Sequence, residues 1–427
     1  MYTGLFGEIE ARFPEAGKCI TFKRNVPRYL TPELVSLFRP SHDWVIGTFT
    51  EEVVLSKASP SNFNLFVRRV AGLGDMISTH GALMGIKRAY PHFEIIYQVS
   101  TVYTPMFAGH HGYKAVLPMN VIVDHENIDA FVNLDTVLEW DHRIDSPKIS
   151  RVDRAWLQIF EGRPEMIKGL KPDFSLIIPE ETRRWAFAAL CKLGIDRESR
   201  KGRPLITLAP RSTAKPRQMY LSTIKETART LAKELSAEVV LIEYDPEWIW
   251  KEPHIHGFER SDALQALALI MESDVLCTPD AGAMWLGHAA AVPTVVWFGP
   301  TPPETKINHH PLYPHGTRGL KMWKWVGCPE VCYEAARWCN YTMKCLLECD
   351  SGKLARETVR VVGELLEWDK NGRKEGQAGS ADQPDRSGDG RVEGGASGES
   401  RNGANAGAGD QAPIGAAQEL RSATDES

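Results

Sequence analysis

The chain is expected to form an α/β protein of two domains, each built on a doubly wound parallel sheet. Short apolar runs of strand length alternate with longer amphipathic segments in both halves of the sequence. Gly, Asp and Pro recur directly after the apolar runs, where strands turn into helices. The length, 427 residues of which 43% are hydrophobic, is enough to bury two ordinary cores.

Residues 1–60 mix turn signals with one strand-like run, FTEEVVLSK, and are expected to be an N-terminal extension packed on the first domain, with a role in acceptor binding. The first domain, 61–200, opens with NLFVRRV as a strand and GLGD as a turn. MISTHGALMGIKRAY then places Met76/Leu83 and Ile77/Met84 seven apart, as on one helix face. FEIIYQV and AFVNL are further strands, while 140–178 is mixed and yields no order.

The second domain, 201–350, is more regular: PLITLAP is a strand, MYLSTIKETARTLAKEL a helix, and AEVVLIE a strand. Ser261 is expected to cap the helix DALQALALIMES, followed by the strand DVLCTP, the helix AMWLGHAAA and the strand TVVWFG. Strands joined by helices of this length need right-handed crossovers and a sheet covered on both faces. A C-terminal helix is expected over 351–368. From 369 to 427 the chain is rich in Gly, Ala, Ser and charge, with no aromatic residue, and is expected to be a disordered tail.

A net charge of −5 excludes a general attraction to nucleic acid or anionic lipid, so phosphate binding would have to be local. No apolar run reaches the roughly 20 residues of a membrane span. Peripheral membrane contact is left open. The start of the chain carries Glu8 and Glu10 and no basic segment ahead of a long apolar stretch, so a cytoplasmic protein with reduced cysteines is expected.

Ligands of doubly wound sheets bind beyond the carboxyl ends of the strands. In the second domain those positions hold Arg211 to Lys215, Glu243 to Glu247, Asp280 to Gly282 and Gly299 to Thr301. PDAGAMW passes from strand to helix, so free N–H groups near Gly282 and the helix dipole would face a diphosphate. Asp280 would hold a hydroxyl or cap the helix. Lys215, in the basic loop APRSTAKPRQ, suits a phosphate on the same rim. In the first domain Gly72 and Gly74 could open a dinucleotide fingerprint, but Ile77 stands where its third Gly belongs, which disfavours hydride transfer. Asp75, at the strand-to-helix turn, would instead project into the cleft as a general base.

VRRVAGLGDMISTHGALMGIKRAYPHFEIIYQV and SDVLCTPDAGAMWLGHAAAVPTVVWFGPTPP together resemble glycosyltransferase family nine, the heptosyltransferases, over about Asn64 to Trp368. The resemblance implies a GT-B fold of two facing Rossmann-like domains and an inverting, metal-independent transfer that uses no cofactor. A sugar, heptose among the candidates, would pass from a nucleotide-diphosphate sugar to a glycan or lipid-linked glycan, as in surface-glycan synthesis. By position, Asp75 is similar to the family's catalytic base and Arg69 to a basic residue near the acceptor. Lys215 is similar to the donor-phosphate lysine, and Asp280 and Gly282 to donor-loop residues. A carboxylate of EYDPEW, Glu243 or Glu247, would bind the ribose, and Arg211 belongs to the same donor rim.

Two positions depart from the family. Ala281 stands where it has Thr, and Trp285 where it has His. Trp285, Trp297, Trp323, Trp325 and Trp338 could stack on a sugar, with most of them expected in the core or at interfaces and Trp285, beside the donor, the one to test. His288 is expected to be a packed residue. Cys328, Cys332, Cys339, Cys345 and Cys349 fit neither a zinc ribbon nor an iron–sulfur run; the resemblance, to a family whose members carry a similar cluster near this place, implies structural thiols, with bound zinc the alternative. The rival functions are a non-catalytic nucleotide-sugar-binding protein and a GT-B epimerase.

Overall fold

The computed structural model describes residues 8–13, 18–23, 62–121, 128–135, 149–160, 163–212, 217–244, 252–259, 261–299, 303–322 and 349–376. Strands β1 (Glu8–Phe13) and β2 (Lys18–Lys23) pair antiparallel as a hairpin. The strand expected over FTEEVVLSK lies outside the described residues.

The first lobe strings together β3 (Phe63–Arg69), α1 (Leu73–Ala89), β4 (Phe93–Val99), β5 (Tyr113–Pro118) and β6 (Ala130–Asn133). Helices α2 (Arg151–Ile159) and α3 (Glu180–Leu193) follow. The four strands β3 to β6 are parallel, in the order β5-β4-β3-β6. Helix α1 is buried without interruption from Met76 to Ile86, so it lies inside the molecule and no polar face is needed.

The second lobe contains β7 (Leu205–Leu208), α4 (Leu221–Glu234), β8 (Glu238–Tyr244), β9 (Ile255–Glu259) and α5 (Ala263–Met271). Then come β10 (Val275–Pro279), α6 (Gly282–Ala290), β11 (Thr294–Phe298), β12 (Thr317–Lys321) and α7 (Ser351–Gly376). Its six strands are parallel in the order β9-β8-β7-β10-β11-β12, the doubly wound arrangement with its direction change between β7 and β10. Every residue of β7, β10 and β11 is buried, as strands covered on both faces require.

Two details differ from expectation. The cap of α5 is Asp262, not Ser261: its carboxylate accepts from Gln265 N at 2.8 Å while Gln265 Oε1 accepts from Asp262 N at 3.1 Å, a reciprocal capping box. Helix α7 continues to Gly376, past the Asp369 point where a tail is expected. The rest of that tail lies outside the described residues. Apolar residues of α7, including Leu354, Val362 and Leu365, join the core on one face of the second sheet, and Trp297 Nε1 donates to Thr358 Oγ1 at 2.9 Å. Trp297 is thus a core residue, as expected.

The other face of the second sheet shares one continuous apolar cluster with the first lobe, in which Met76, Ile77 and Trp156 join Met284, Trp285 and Phe298. Helices α1 and α6 therefore meet directly, and this contact brings the carboxyl ends of the two sheets to one cleft.

Candidate active site

A cavity of about 720 Å³ opens between the lobes. From the first lobe it is lined by Gly72 to Asp75, Tyr103 and Arg151. The second lobe contributes Arg211 and Ser212 after β7, Arg217, Ser261, Asp280 to Ala283 after β10, and Lys306. In each sheet the contributors include the loops beside the point where strand order reverses, after β3 in the first and after β7 and β10 in the second, the site that doubly wound topology leaves open for a ligand.

Asp75 sits in the first turn of α1, so the turn expected over GLGD is already helical. Its Oδ1 lies 3.5 Å from Arg69 Nη2 and in contact with Arg151 Nη1. Arg69 is fully buried, and its Nη1 donates to the carbonyls of Leu134 and Asp135, the latter at 2.8 Å. It stands behind Asp75 and is absent from the cleft lining, whereas Arg151 lines the cleft. Arg151 opens α2, whose N-cap is Ser150, and it belongs to the stretch whose order the sequence did not give.

Opposite, Asp280 is 2% exposed, and its Oδ2 lies 3.6 Å from Arg217 Nη1. It is not the helix cap: the N-cap of α6 is Ala281, which carries no side-chain cap. The first turn of α6, Gly282 and Ala283, lines the cleft. Arg211 and Arg217 flank it, and Lys215 between them lies outside the described residues. Glu243 is in β8, and Glu247 lies outside the described residues.

Gly74 and Trp285 form the seam between the lobes. A Cβ on Gly74 would sit 2.5 Å from Trp285 Cδ1, and one on Gly282 would sit 3.3 Å from the Leu73 side chain. The second glycine of the Gly-Leu-Gly turn therefore serves close helix packing. Trp285 is 3% exposed, with Phe174 and His288 rings at 5.9 and 4.7 Å. Its indole is wedged between helices, against Gly74 of the first lobe, and the residue also borders the cavity.

His288 is packed, as expected: it is buried between the carbonyls of Met284 and Lys306, and burial pulls its pKa down to about 4. His309 and His310 diverge. His310 is buried against His288, whereas His309 reaches Asp153 of the first lobe at 3.1 Å. Cys328, Cys332, Cys339 and Cys345, and Trp323, Trp325 and Trp338, lie outside the described residues. Cys191, Cys277 and Cys349 are free thiols. Among the described residues, no three His, Cys, Asp or Glu side chains are placed to hold a metal ion. No described helix is long and apolar enough to cross a membrane.

Two parallel doubly wound lobes facing one another across a cleft, with a carboxylate on one side and arginines and a helix N-terminus on the other, define the GT-B class. The chain is similar in fold to the glycosyl transferase family 9 structure from Veillonella parvula, at a TM-score of 0.55 and 15% identity, covering 72% of this chain and 99% of that one. It is also similar to E. coli ADP-heptose lps heptosyltransferase II, at a TM-score of 0.49 and 14% identity, covering 72% of this chain and 100% of that one. No protein-family model and no curated protein sequence matches it. At such identities the likeness is one of fold, and it is the fold the two sequence motifs lead one to expect.

Proposed function

We propose that this chain is an inverting glycosyltransferase that moves a sugar from a nucleotide-diphosphate donor to a hydroxyl of a glycan or lipid-linked glycan, without a metal ion. The observation that carries the reading is the opposition of Asp75 to the first turn of α6 across one cavity. Asp75 accepts the proton of the acceptor hydroxyl. The freed oxygen attacks the anomeric carbon from the face opposite the diphosphate, and the bond from that carbon to the phosphate oxygen breaks.

The leaving diphosphate gains negative charge as the bond breaks. N–H groups and cations placed in advance stabilise such charge without reorganising at the moment of reaction. Here the N-terminus of α6, Arg211 and Arg217 occupy that side, with Lys215 assigned to the same rim by its position in the sequence. On the acceptor side, Arg69 and Arg151 hold the carboxylate of Asp75 in one orientation. Heptose as the sugar and ADP as the carrier are the first candidates, on the resemblance of the two sequence motifs to the heptosyltransferases.

A thermal-shift screen with ADP-, GDP-, UDP- and CMP-linked sugars identifies the donor, because a ligand at a hundred times its Kd stabilises the folded state by about 2.7 kcal/mol. Turnover with glycan acceptors then follows. Asp75→Asn is expected to keep donor binding and to lower kcat by about 10²- to 10⁴-fold, the usual worth of a general base. Binding without turnover would favour the non-catalytic reading, and conversion of a donor with no acceptor present would favour an epimerase. Full activity of Asp75→Asn would sink the proposal.

A further inference from the structure

Helix α2 is held at both lobes, and its first residue touches the candidate base. Arg151, at the start of α2, contacts Asp75. Two residues on, both oxygens of the Asp153 carboxylate are engaged. Oδ2 accepts from Ser150 Oγ at 2.7 Å, while Ser150 Oγ accepts from Asp153 N at 3.0 Å. Oδ1 faces His309 Nε2 of the second lobe at 3.1 Å, and against a carboxylate that ring nitrogen is the donor.

One turn further, buried Trp156 presents its ring at 80° to His309, with centroids 5.8 Å apart, and its Nε1 donates to Ala82 O of α1 at 2.8 Å. The helix that carries Asp75 is thereby tied to the helix that carries Arg151. His309 follows the short helix Glu304–Ile307, whose Lys306 lines the cleft. The Asp153–His309 pair thus spans the lobes at the edge of the site.

We propose that Asp153 and His309 form an interlobe clasp that sets Arg151 against Asp75, which makes both of them positioning residues for proton removal; this rests on the glycosyl-transfer reading above. Neither side chain is fully buried, at 28% and 18% exposure. An ion pair of that kind contributes little to stability. What the clasp supplies is geometry: the Ser150 bond, internal to the first turn of α2, fixes the orientation of the carboxylate, and the turn cannot pivot without breaking the Asp153–His309 contact to the second lobe. Arg151, rigid at its Cα, then meets Asp75 in one arrangement.

The test compares His309→Ala, His309→Gln and Arg151→Ala in the full chain, by amide hydrogen exchange and by steady-state kinetics. In His309→Ala the amides of residues 151–159 should exchange several-fold faster while those of β10 and β11 stay unchanged. The kcat should fall about tenfold, as a small misplacement of a catalytic group does, with the KM for the donor unaltered. His309→Gln, whose amide N–H still reaches Asp153, should recover most of both. His309→Ala combined with Arg151→Ala should be no slower than Arg151→Ala alone, because the histidine acts through the arginine. Unchanged exchange at 151–159 in His309→Ala, or losses in the double variant that multiply, would overturn the clasp. If Asp75→Asn retained full turnover, the glycosyl-transfer reading would fall, and the exchange comparison would still decide whether the clasp holds α2.

Discussion

Gly74→Ala places a methyl group where the two lobes are closest. The new Cβ would lie 2.5 Å from Trp285 Cδ1, 3.1 Å from Trp285 Nε1 and 3.5 Å from Gly282 Cα. Ordinary contact begins near 3.4 Å, so the indole would have to shift by about 1 Å. It has little room, since Trp285 is 3% exposed and is backed by Phe174 and His288. Overpacking of this kind costs about 1–3 kcal/mol, and a ring walled in on its far side belongs in the upper half of that range. Against this, alanine in a helix is favoured over glycine by up to about 1 kcal/mol. The net loss expected is about 1–2 kcal/mol, read as a shift in the midpoint of urea denaturation. Trp285→Leu removes the ring atoms that clash, so in that background Gly74→Ala should cost nothing or stabilise slightly. Because Asp75 adjoins Gly74, kcat should fall in Gly74→Ala and be restored only in part by the second change. The reasoning is refuted if Gly74→Ala is neutral in the native background, or if its cost is the same with Leu at position 285.

Burial lowers His80 to about 3 and His288 to about 4, so both are neutral in the folded protein and become protonated first in the unfolded chain. The unfolded state then binds more protons below its pKa near 6.5, and stability should fall as pH drops from about 6.5 toward 4, by roughly 1.4 kcal/mol per pH unit for each histidine. Denaturation midpoints measured from pH 7.5 to pH 5 should show this slope, and His288→Gln should flatten it. Arg217→Ala should weaken donor binding by about 10- to 100-fold, the equivalent of one charge-assisted contact of about 1.5–3 kcal/mol, in titration calorimetry. An unchanged affinity would remove Arg217 from the donor site.

The parts of the fold that sequence pattern revealed are those that physics marks most strongly. Strands β3, β4, β7, β10 and β11 are runs of apolar residues because sheet or helix covers both their faces. The strands the pattern missed, β1, β2, β5, β9 and β12, all lie at sheet edges. An edge strand needs less apolar surface and tolerates charge, and TRGLK in β12 carries Arg318 and Lys321. The site divides in the same way. Asp75, Asp280 and Gly282 were legible because each follows a strand, where ligand loops must be. Arg151 was not, since it reaches Asp75 from 76 positions away, through the packing of α2 on α1, and nothing local to RVDRAW announces that contact. The wedge role of Trp285 was equally hidden. A tryptophan beside a ligand loop suggests stacking, and only the missing Cβ of Gly74 shows that the ring is engaged by the opposite lobe.

The cleft contains two carboxylates in comparable settings, and under the proposed function their surroundings suit them to different tasks. Each follows a strand at the reversal point of its sheet, Asp75 after β3 and Asp280 after β10, and each meets an arginine that borders the cleft, Arg151 and Arg217. They differ in access: the Asp75 side chain is 16% exposed and that of Asp280 only 3%. A group that takes a proton from an incoming hydroxyl must be reachable by it, whereas a group that orients a cation need not be. Asp280 is therefore suited to fixing the Arg217 guanidinium beside the α6 N-terminus, where a diphosphate would gather charge. Asp75, braced from behind by Arg69 and open to the cavity, is suited to meet the acceptor. Ala281 fits the same arrangement: as the N-cap of α6 it makes no side-chain cap bond of its own, at a helix N-terminus whose first turn lines the cavity and suits an anionic ligand.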